Sequence, residues 1–507
     1  MIRAAVIFFV CVILPGSVWT SPALAAPAFD SATAASVWGA ALTYIAPRAL
    51  QQLTIPQMTI WGLNGLAALD PDLSTTLLNN QILLNGPQQL ILSLPAPAPN
   101  DATAWGKAAA QVASAAYAAS PALQQAGTQG VITSFFDELF NHFDPYSRYE
   151  PPLQAAQDQL MITGLASAGL SFGQQGNNVV IASVAAGGPA EDAGLTTGAQ
   201  VLKVDGKPVF PGEITHLNNE MNGIYGTTTT LQLQDPSTGG APQDITITRA
   251  FIPPQTVFSE TSPVPGVLAL KISGFDKGTG NQFSSALAAA MSAQPPPKGL
   301  LLDLRGNRGG VLRQAILVAD SLLQSGPIAQ TAGRDPDADQ SFSAEGADLT
   351  GGIKIVVLVD GQTASAAEIL TAALADNRRA VVVGSETLGK GLVQTVTSLP
   401  DGGELFVTWS RVLAPRGWPL QSLGVMPQVC TSLGPAGLQT QLNALAKGQN
   451  LMAPALAQAR AMRAGASVDA ILSVRDACPA DTGSDEDFAA AGYLFTTPKA
   501  YQAALLP

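Results

Sequence analysis

Histidine and cysteine are scarce in this chain, whose 507 residues include only two histidines and three cysteines. No cluster of His, Cys and carboxylate residues has metal-ligand spacing, so the sequence predicts no metal site and no cofactor. Charged residues make up only 12% of the chain, and the net charge is −12. This balance argues against a nucleic-acid partner, which needs a basic face. The 47% of hydrophobic residues is typical of a folded protein, and the length predicts about two to four domains.

Long apolar runs are also missing, except at the N-terminus. There Arg3 provides a positive start, Ala4 to Leu14 form an apolar stretch, and the small residues that end at Ala25 offer a cleavage site. We interpret residues 1–25 as a signal peptide that is cleaved near Ala25, and we predict export to the periplasm. A retained membrane anchor fits less well because the apolar stretch is short and Pro15-Gly16 interrupt it.

Removal of this segment leaves two cysteines, Cys430 and Cys478. In an oxidising compartment they could form one disulfide that joins the C-terminal tail to the preceding domain. Two buried thiols fit the sequence equally well, and the spacing does not distinguish these alternatives.

The remaining chain changes its pattern three times, which predicts four regions. Residues 26–155 are rich in Ala, Leu and Gln at helical spacing, with a Pro-rich hinge at 94–101. We expect a helical N-terminal region there, and a helical C-terminal region over 431–507. Residues 156–252 show short strands separated by turns, and residues 253–430 alternate strands with helices. This alternation predicts a multidomain α/β protein whose main sheet carries helices on its faces.

Two familiar motifs occur without the structural context that they need. Residues 169–173 (GLSFG) fit the G-x-S-x-G nucleophile elbow, which requires a strand before its serine and a helix after it. A turn and a strand follow here, so we reject the elbow. Gly384, Gly389 and Lys390 fit most of a phosphate-binding loop, but Gly391 replaces the Ser or Thr that would bind Mg²⁺. We therefore predict no nucleotide binding, and Lys390 needs another explanation.

Ser365 lies where a strand-like run over 353–359 gives way to a helix-like run over 366–375. It could simply cap the helix, or it could be a nucleophile whose oxyanion is bound by the N–H of Ala366 at the helix start. The two histidines lie outside this segment, whereas Lys390 follows a buried strand. Burial favours the neutral amine of a lysine, so Lys390 could serve as the base. Local sequence does not decide between the cap and the nucleophile.

From about residue 131 to 429 the chain resembles the C-terminal processing peptidases, also called tail-specific proteases. The resemblance rests on five segments: FDPYSRY (143–149), GGPAEDAGLTTGAQVLKVDGKPV (187–209), GLLLDLRGNRGGVL (299–312), TASAAEILTAALADNRRAVVVGSETLGKGLVQ (363–394) and APRGWPLQSLGVMP (414–427). It implies a serine endopeptidase with a crotonase-like α/β core and an inserted PDZ-like domain.

The resemblance also implies roles for single residues. Ser365 would be the nucleophile, Lys390 the general base, and Gln394 the residue that orients the lysine. The oxyanion donors would be the N–H of Ala366 and that of a glycine in the turn, either Gly309 or Gly310. Arg308 stands where the family usually has proline, and this departure could alter the oxyanion turn.

Substrates, by the same resemblance, would be proteins or peptides with accessible C-termini. The PDZ-like domain would capture the terminal carboxylate at Gly169, Leu170, Ser171 and Phe172, with His216 on the groove helix lining the site. An adaptor protein and the oligomeric state are left open. A catalytically inactive PDZ scaffold or chaperone is the alternative, although retention of the three catalytic side chains favours the enzyme.

Overall fold

The computed structural model describes residues 28–163, 166–185, 187–234, 240–346 and 348–505. The predicted signal peptide, residues 1–25, lies outside these ranges. Within them, no helix has both the length and the apolar character needed to cross a membrane.

The N-terminal region combines helices with a small antiparallel sheet of order β1-β2-β3. The predicted helical region thus also contains strands, and the prediction of helix is wrong for residues 74–95. In β2, Ile82 and Leu84 are buried between half-buried neighbours, which is the period-2 pattern of a strand. Asn79 and Asn80 both have positive φ, as in the turns that favour tight hairpins. The elements are α1 (Ser31–Arg48), α2 (Ile55–Leu69), β1 (Ser74–Leu78), β2 (Gln81–Asn85), β3 (Leu90–Pro95), α3 (Ala102–Ala119), α4 (Pro121–Asn141), β4 (Arg148–Glu150) and α5 (Pro152–Thr163).

The next region is a small β domain whose main sheet has the order β12-β11-β8-β7-β6, with β9 beside β8. Its core forms where Phe172, Ile181, Val201 and Leu231 pack together. Strand β6 pairs only with β7 and is thus an edge strand of this sheet. The elements are β5 (Ala166–Ser167), β6 (Leu170–Gln175), β7 (Asn178–Val184), α6 (Pro189–Asp192), β8 (Gln200–Val204), β9 (Lys207–Pro208), α7 (Ile214–Glu220), β10 (Asn222–Gly223), β11 (Thr228–Gln234) and β12 (Gln243–Thr248).

The third region is the predicted α/β core, and it contains two sheets. One has the order β13-β14-β15-β18-β19-β22, with parallel pairing from β14 to β22; the other has the order β17-β16-β21-β20. Strand β4 joins the second sheet by pairing with β21. The elements are β13 (Val257–Ser259), β14 (Val267–Ile272), α8 (Thr279–Met291), β15 (Gly299–Asp303), α9 (Leu312–Leu322), β16 (Gly326–Gly333), β17 (Gln340–Ala344), β18 (Lys354–Val359), α10 (Ala366–Asp376), β19 (Ala380–Gly384), β20 (Leu392–Ser398), β21 (Glu404–Leu413) and β22 (Val429–Cys430).

The parallel sheet is covered by helices on both faces, which explains why its central strands are continuous apolar runs. Leu300 and Leu302 of β15 face α9 and α10, whereas Leu301 faces the C-terminal helices. Cys430 and Cys478 form a disulfide, so the two-thiol alternative is wrong. The C-terminal region is helical: α11 (Gly434–Ala446), α12 (Ala453–Ala461), α13 (Val468–Arg475), α14 (Asp485–Thr496) and α15 (Pro498–Ala504).

Candidate active site

A cleft of about 530 Å³ lies beside the carboxyl ends of the parallel strands, where open α/β sheets bind ligands. It brings together six residues that the sequence singled out: Ser365, Ala366, Lys390, Gln394, Gly309 and Gly310. Arg308 lines it as well, and its guanidinium lies 3.4 Å from the side-chain oxygen of Gln362. In the described part of the chain, no group of His, Cys, Asp and Glu side chains is arranged to hold a metal ion.

Ser365 occupies the turn between β18 and α10 with a strained backbone, at φ +54° and ψ −118°. A non-glycine residue in this conformation costs about 1–3 kcal/mol and persists only where the surrounding structure enforces it. Such strain is concentrated at functional sites, and a sharp strand-to-helix turn presents a serine hydroxyl to a cleft. This strain could not be predicted from the sequence, because Ser is an ordinary helix-cap residue.

Glu368 connects the turn of Ser365 with the loop of Lys390. Its carboxylate is fully buried and accepts hydrogen bonds from the N–H groups of Ser365 (2.8 Å), Gly389 (2.7 Å) and Lys390 (2.9 Å) and from the Thr387 hydroxyl (2.5 Å). Burial raises the pKa of Glu368, and these hydrogen bonds act in the opposite direction. One side chain thus fixes the turn of Ser365 and the loop of Lys390. Sequence analysis missed it, although Ser-x-x-Glu before an apolar run is the pattern of a capping box.

The glycine turn after β15 is tied to the Ser365 turn by hydrogen bonds. Asp360 accepts from the N–H of Gly306 at 3.0 Å, and the N–H of Ala364 donates to the carbonyl of Asn307 at 2.9 Å. A Cβ added to Gly309 would lie 2.7 Å from the Ser365 Cβ, so only glycine permits this close approach.

The two glycines of this turn differ in their N–H groups. The N–H of Gly309 donates to Asn307 Oδ1 at 2.8 Å. The N–H groups of Gly310 and Ala366 have no acceptor among the described residues. These two donors are therefore free to bind an oxygen atom in the cleft.

Lys390 is half-buried, which is less burial than the argument from sequence assumed. Its Nζ lies 4.7 Å from the centroid of the Tyr146 ring. Across the described residues, Nζ has no ion pair and no hydrogen bond, including to Ser365 Oγ. Tyr146 comes from the N-terminal region, and sequence analysis gave it no role.

Gln394 reaches the cleft because β20 has a bulge between Val393 and Gln394, where its register with β21 shifts. The amide Nε2 of Gln394 donates to Thr408 Oγ1 at 3.0 Å, and Thr408 Oγ1 donates to Asp144 Oδ1 at 2.7 Å. This chain of hydrogen bonds orients the amide of Gln394.

Asp144 also organises the segment that carries Tyr146. Its carboxylate accepts from the N–H groups of Tyr146 (2.9 Å) and Ser147 (3.1 Å) and from the Ser147 hydroxyl (2.6 Å). The N–H of Thr408 donates back to Ser147 Oγ at 3.0 Å. The same carboxylate therefore holds the ring beside Lys390 and, through Thr408, the amide of Gln394.

A second pocket, of about 1040 Å³, lies where the small β domain meets α8 of the core. Gly169, Leu170 and Ser171 line it, whereas Phe172 is buried in the core of the β domain. Of the predicted groove residues, His216 does not line this pocket: it is exposed on α7, with Nε2 3.2 Å from Glu220 Oε1.

Asn218 of α7 bridges to the edge strand β6. Its Oδ1 accepts from the N–H of Phe172 at 2.7 Å, and its Nδ2 donates to the carbonyl of Phe172 at 3.3 Å. Both backbone groups of Phe172 would otherwise be open to an added strand.

The sequence profile of Peptidase family S41 matches residues 266–431, and that of a PDZ domain matches residues 180–231. The carboxy-terminal-processing protease of Bartonella bacilliformis is 32% identical over 304 residues, which cover 59% of this chain and 69% of that protein. The carboxyl-terminal-processing protease of a Synechocystis species is 33% identical over 290 residues, which cover 56% of this chain and 67% of that protein. A solved photosystem II D1 C-terminal processing protease aligns with a TM-score of 0.42 and 24% identity over 81% of this chain and 97% of that chain. This chain belongs to peptidase family S41, as a serine-type C-terminal processing protease with a PDZ domain.

Proposed function

We propose that this protease cuts by a dyad of Ser365 and Lys390, and that its PDZ domain first captures the C-terminus of the substrate. The observation that carries the dyad is the strained Ser365, in one cleft with Lys390, Gln394 and two N–H groups without acceptors. The captured terminus would place an unfolded substrate near this cleft. Export of the protein remains our prediction from residues 1–25.

In the proposed reaction, Lys390 Nζ accepts the proton of Ser365 Oγ as the oxygen attacks the scissile carbonyl. The N–H groups of Ala366 and Gly310 bind the oxyanion, since the N–H of Gly309 is already donated to Asn307. The ammonium then gives its proton to the leaving amine. A water molecule, deprotonated by the lysine, hydrolyses the acyl-enzyme and restores Ser365.

Lys390 must turn from the Tyr146 ring toward Ser365 for this reaction to begin. Gln394 can guide that movement, because Thr408 holds its Nε2 and leaves its amide oxygen to accept from the ammonium. The resting position over the ring and the reacting position at the serine would then be two orientations of one flexible side chain.

For substrate capture, the peptide would add as a strand to the free edge of β6, with its carboxylate at Gly169–Ser171. Asn218 already occupies this edge at Phe172. Binding therefore requires displacement of the Asn218 side chain, which would lower the affinity for peptides that pair weakly.

The test uses an unfolded protein with an apolar C-terminus as substrate. We expect Ser365→Ala and Lys390→Ala to abolish its cleavage, whereas Lys447→Ala, at an exposed lysine beyond α11, cleaves at the wild-type rate. Removal of the last three substrate residues should slow cleavage through a higher KM. Wild-type cleavage by either dyad variant refutes the dyad, and an unchanged KM refutes capture by the PDZ domain. A wild-type protein that binds the substrate without cleaving it would indicate a scaffold instead.

A further inference from the structure

Two arginines follow β15 in the turn that borders the protease cleft, and their surroundings differ. Arg305 is largely buried and pairs with two carboxylates, those of Asp303 (2.7 Å) and Asp487 (3.0 Å). Arg308 is exposed, and its guanidinium has one hydrogen bond among the described residues, a long one of 3.4 Å to the side-chain oxygen of Gln362. No carboxylate pairs with Arg308 within the described structure. Arg305 thus stabilises the fold around the turn, whereas the charge of Arg308 is available to a ligand.

Arg308 lines the cleft close to the proposed oxyanion donors. It precedes Gly310 by two residues, so its Cα lies within about 7 Å of the Gly310 N–H, because a chain spans at most about 3.3–3.6 Å per residue. A bound substrate extends by the same length per residue. The guanidinium can therefore reach a substrate side chain that lies within about three residues of the scissile bond.

The cleft offers a substrate one fixed positive charge on a mainly apolar surface. None of its described lining residues is acidic. Its apolar lining residues include Leu312, Ile369, Leu392, Val393 and Val412. Lys390 is the other cation of the lining, but it is neutral when it accepts the serine proton in the proposed reaction. Arg308 is therefore the cation that stays charged throughout that reaction.

The carboxylates of the protein neither neutralise Arg308 nor favour an acidic substrate. Glu368 is fully buried, and its oxygens already accept from the N–H groups of Ser365, Gly389 and Lys390. The chain as a whole has a net charge of −12, so its long-range field repels an anionic polypeptide. A preference for an acidic residue must therefore come from a local contact.

We propose that Arg308 is a specificity-determining residue of the protease: its guanidinium pairs with the side-chain carboxylate of an Asp or Glu within three residues of the scissile bond. A guanidinium suits this contact because its planar N–H groups match the two oxygens of a carboxylate. The substrate class is then an unfolded polypeptide that is acidic next to the bond that is cut. This inference rests on the proposed cleavage at Ser365.

The test begins with one peptide that the wild-type protein cuts at a single bond, mapped by mass spectrometry. Glu, Gln or Lys is then placed singly at each of the three positions on either side of that bond. The C-terminus is kept constant, so that capture by the PDZ domain is equal for all peptides. We expect the Glu peptide to have a kcat/KM about 3- to 10-fold above that of the Gln peptide for at least one position.

Two variants show whether Arg308 causes this preference. Arg308→Gln should make the Glu and Gln peptides equal, and Arg308→Glu should reverse the preference, so that the Lys peptide is cut faster than the Glu peptide. The ratio of the kcat/KM values is taken within each variant, so a general loss of activity does not affect it. Arg313→Gln is the matched control and should keep the wild-type ratio, because Arg313 is exposed on α9 and does not line the cleft.

Equal cleavage of the Glu and Gln peptides at every position by the wild-type protein would overturn the inference. A preference for Glu that Arg308→Gln retains would overturn it as well. In both cases, loss of cleavage in Ser365→Ala leaves the proposed function intact. Cleavage of the starting peptide by Ser365→Ala at the wild-type rate would instead refute the proposed function, and the inference with it.

Discussion

Gly309→Ala tests the contact between the glycine turn and Ser365. The new Cβ would lie 2.7 Å from the Ser365 Cβ and 2.9 Å from the N of Ala366, whereas carbon atoms in contact are about 3.5–4.0 Å apart. Relief of this overlap displaces the proposed nucleophile, Ser365, or the proposed oxyanion donor, Ala366, by about 1 Å. Misplacement on this scale can lower a rate by about 100-fold. We therefore expect kcat to fall by about two orders of magnitude with little change in KM, measured by steady-state cleavage of a peptide.

Gly306→Ala is the control for backbone strain in the same turn. Gly306 has φ +74° and Gly309 has φ +92°, so an alanine at either position adopts an unfavourable backbone conformation. A Cβ on Gly306 meets no atom within 4 Å, in contrast to one on Gly309. We expect Gly306→Ala to lose stability similarly and to keep kcat within a few-fold of the wild type. Equal kcat values for the two variants would refute the steric argument.

Three further predictions concern groups around the two sites. Asn218→Ala frees the edge of β6. In the Ser365→Ala background it should therefore bind an apolar peptide acid a few-fold more tightly, measured by fluorescence anisotropy. An affinity no higher than that of the Asn219→Ala control in the same background would contradict this prediction. Burial raises the pKa of Glu386 from 4.5 to about 8, so the folded chain keeps a proton that the unfolded chain releases, and this group's contribution to stability is lost as pH rises between these values. Glu386→Gln should remove this loss, which is on the order of 1–4 kcal/mol of unfolding free energy at pH 8, measured by urea unfolding. Parallel pH profiles of the unfolding free energy for the variant and the wild type would refute this prediction. Tyr146→Phe should keep kcat, whereas Tyr146→Ala should lower kcat about 3- to 30-fold by removing the ring beside Lys390. Equal effects of the two substitutions on kcat would exclude a role of the ring in the reaction.

The parallel sheet was predictable because its strands are buried on both faces and are separated by amphipathic helices. Residues 299–302 and 355–359 are continuous apolar runs of this kind, and each is followed by a turn rich in glycine or polar residues. Because the carboxyl ends of parallel strands meet at one edge, Ser365, Lys390 and the glycine turn converge there. The cleft contains all three.

Other features depend on contacts between segments that are distant in sequence. Residues 74–95 were expected to be helical from their Leu and Gln content, yet cross-strand pairing around the Asn79-Asn80 turn makes them a meander. Tyr146 meets Lys390 because Asp144 and β4 attach its segment to β21, and no local pattern predicts these long-range contacts.

The C-terminal tail also supports the protease loops, which its sequence did not suggest. Beside the disulfide of Cys478, the carbonyl of Asp481 accepts from the N–H of Gly361 at 2.7 Å and from the hydroxyl of Ser385 at 2.9 Å. Gly361 begins the turn that leads to Ser365, and Ser385 begins the loop that leads to Lys390. The tail therefore holds the first residues of the loops that carry Ser365 and Lys390.

The most direct test of the account is the site and rate of labelling by a fluorophosphonate, which reacts with activated serine hydroxyl groups. Peptide mapping by mass spectrometry should find the label on Ser365 of the wild-type protein. In Lys390→Ala the labelling rate should fall by about 100-fold or more, because the hydroxyl loses its base. A label on another serine, or an unchanged rate in Lys390→Ala, would contradict the proposed dyad.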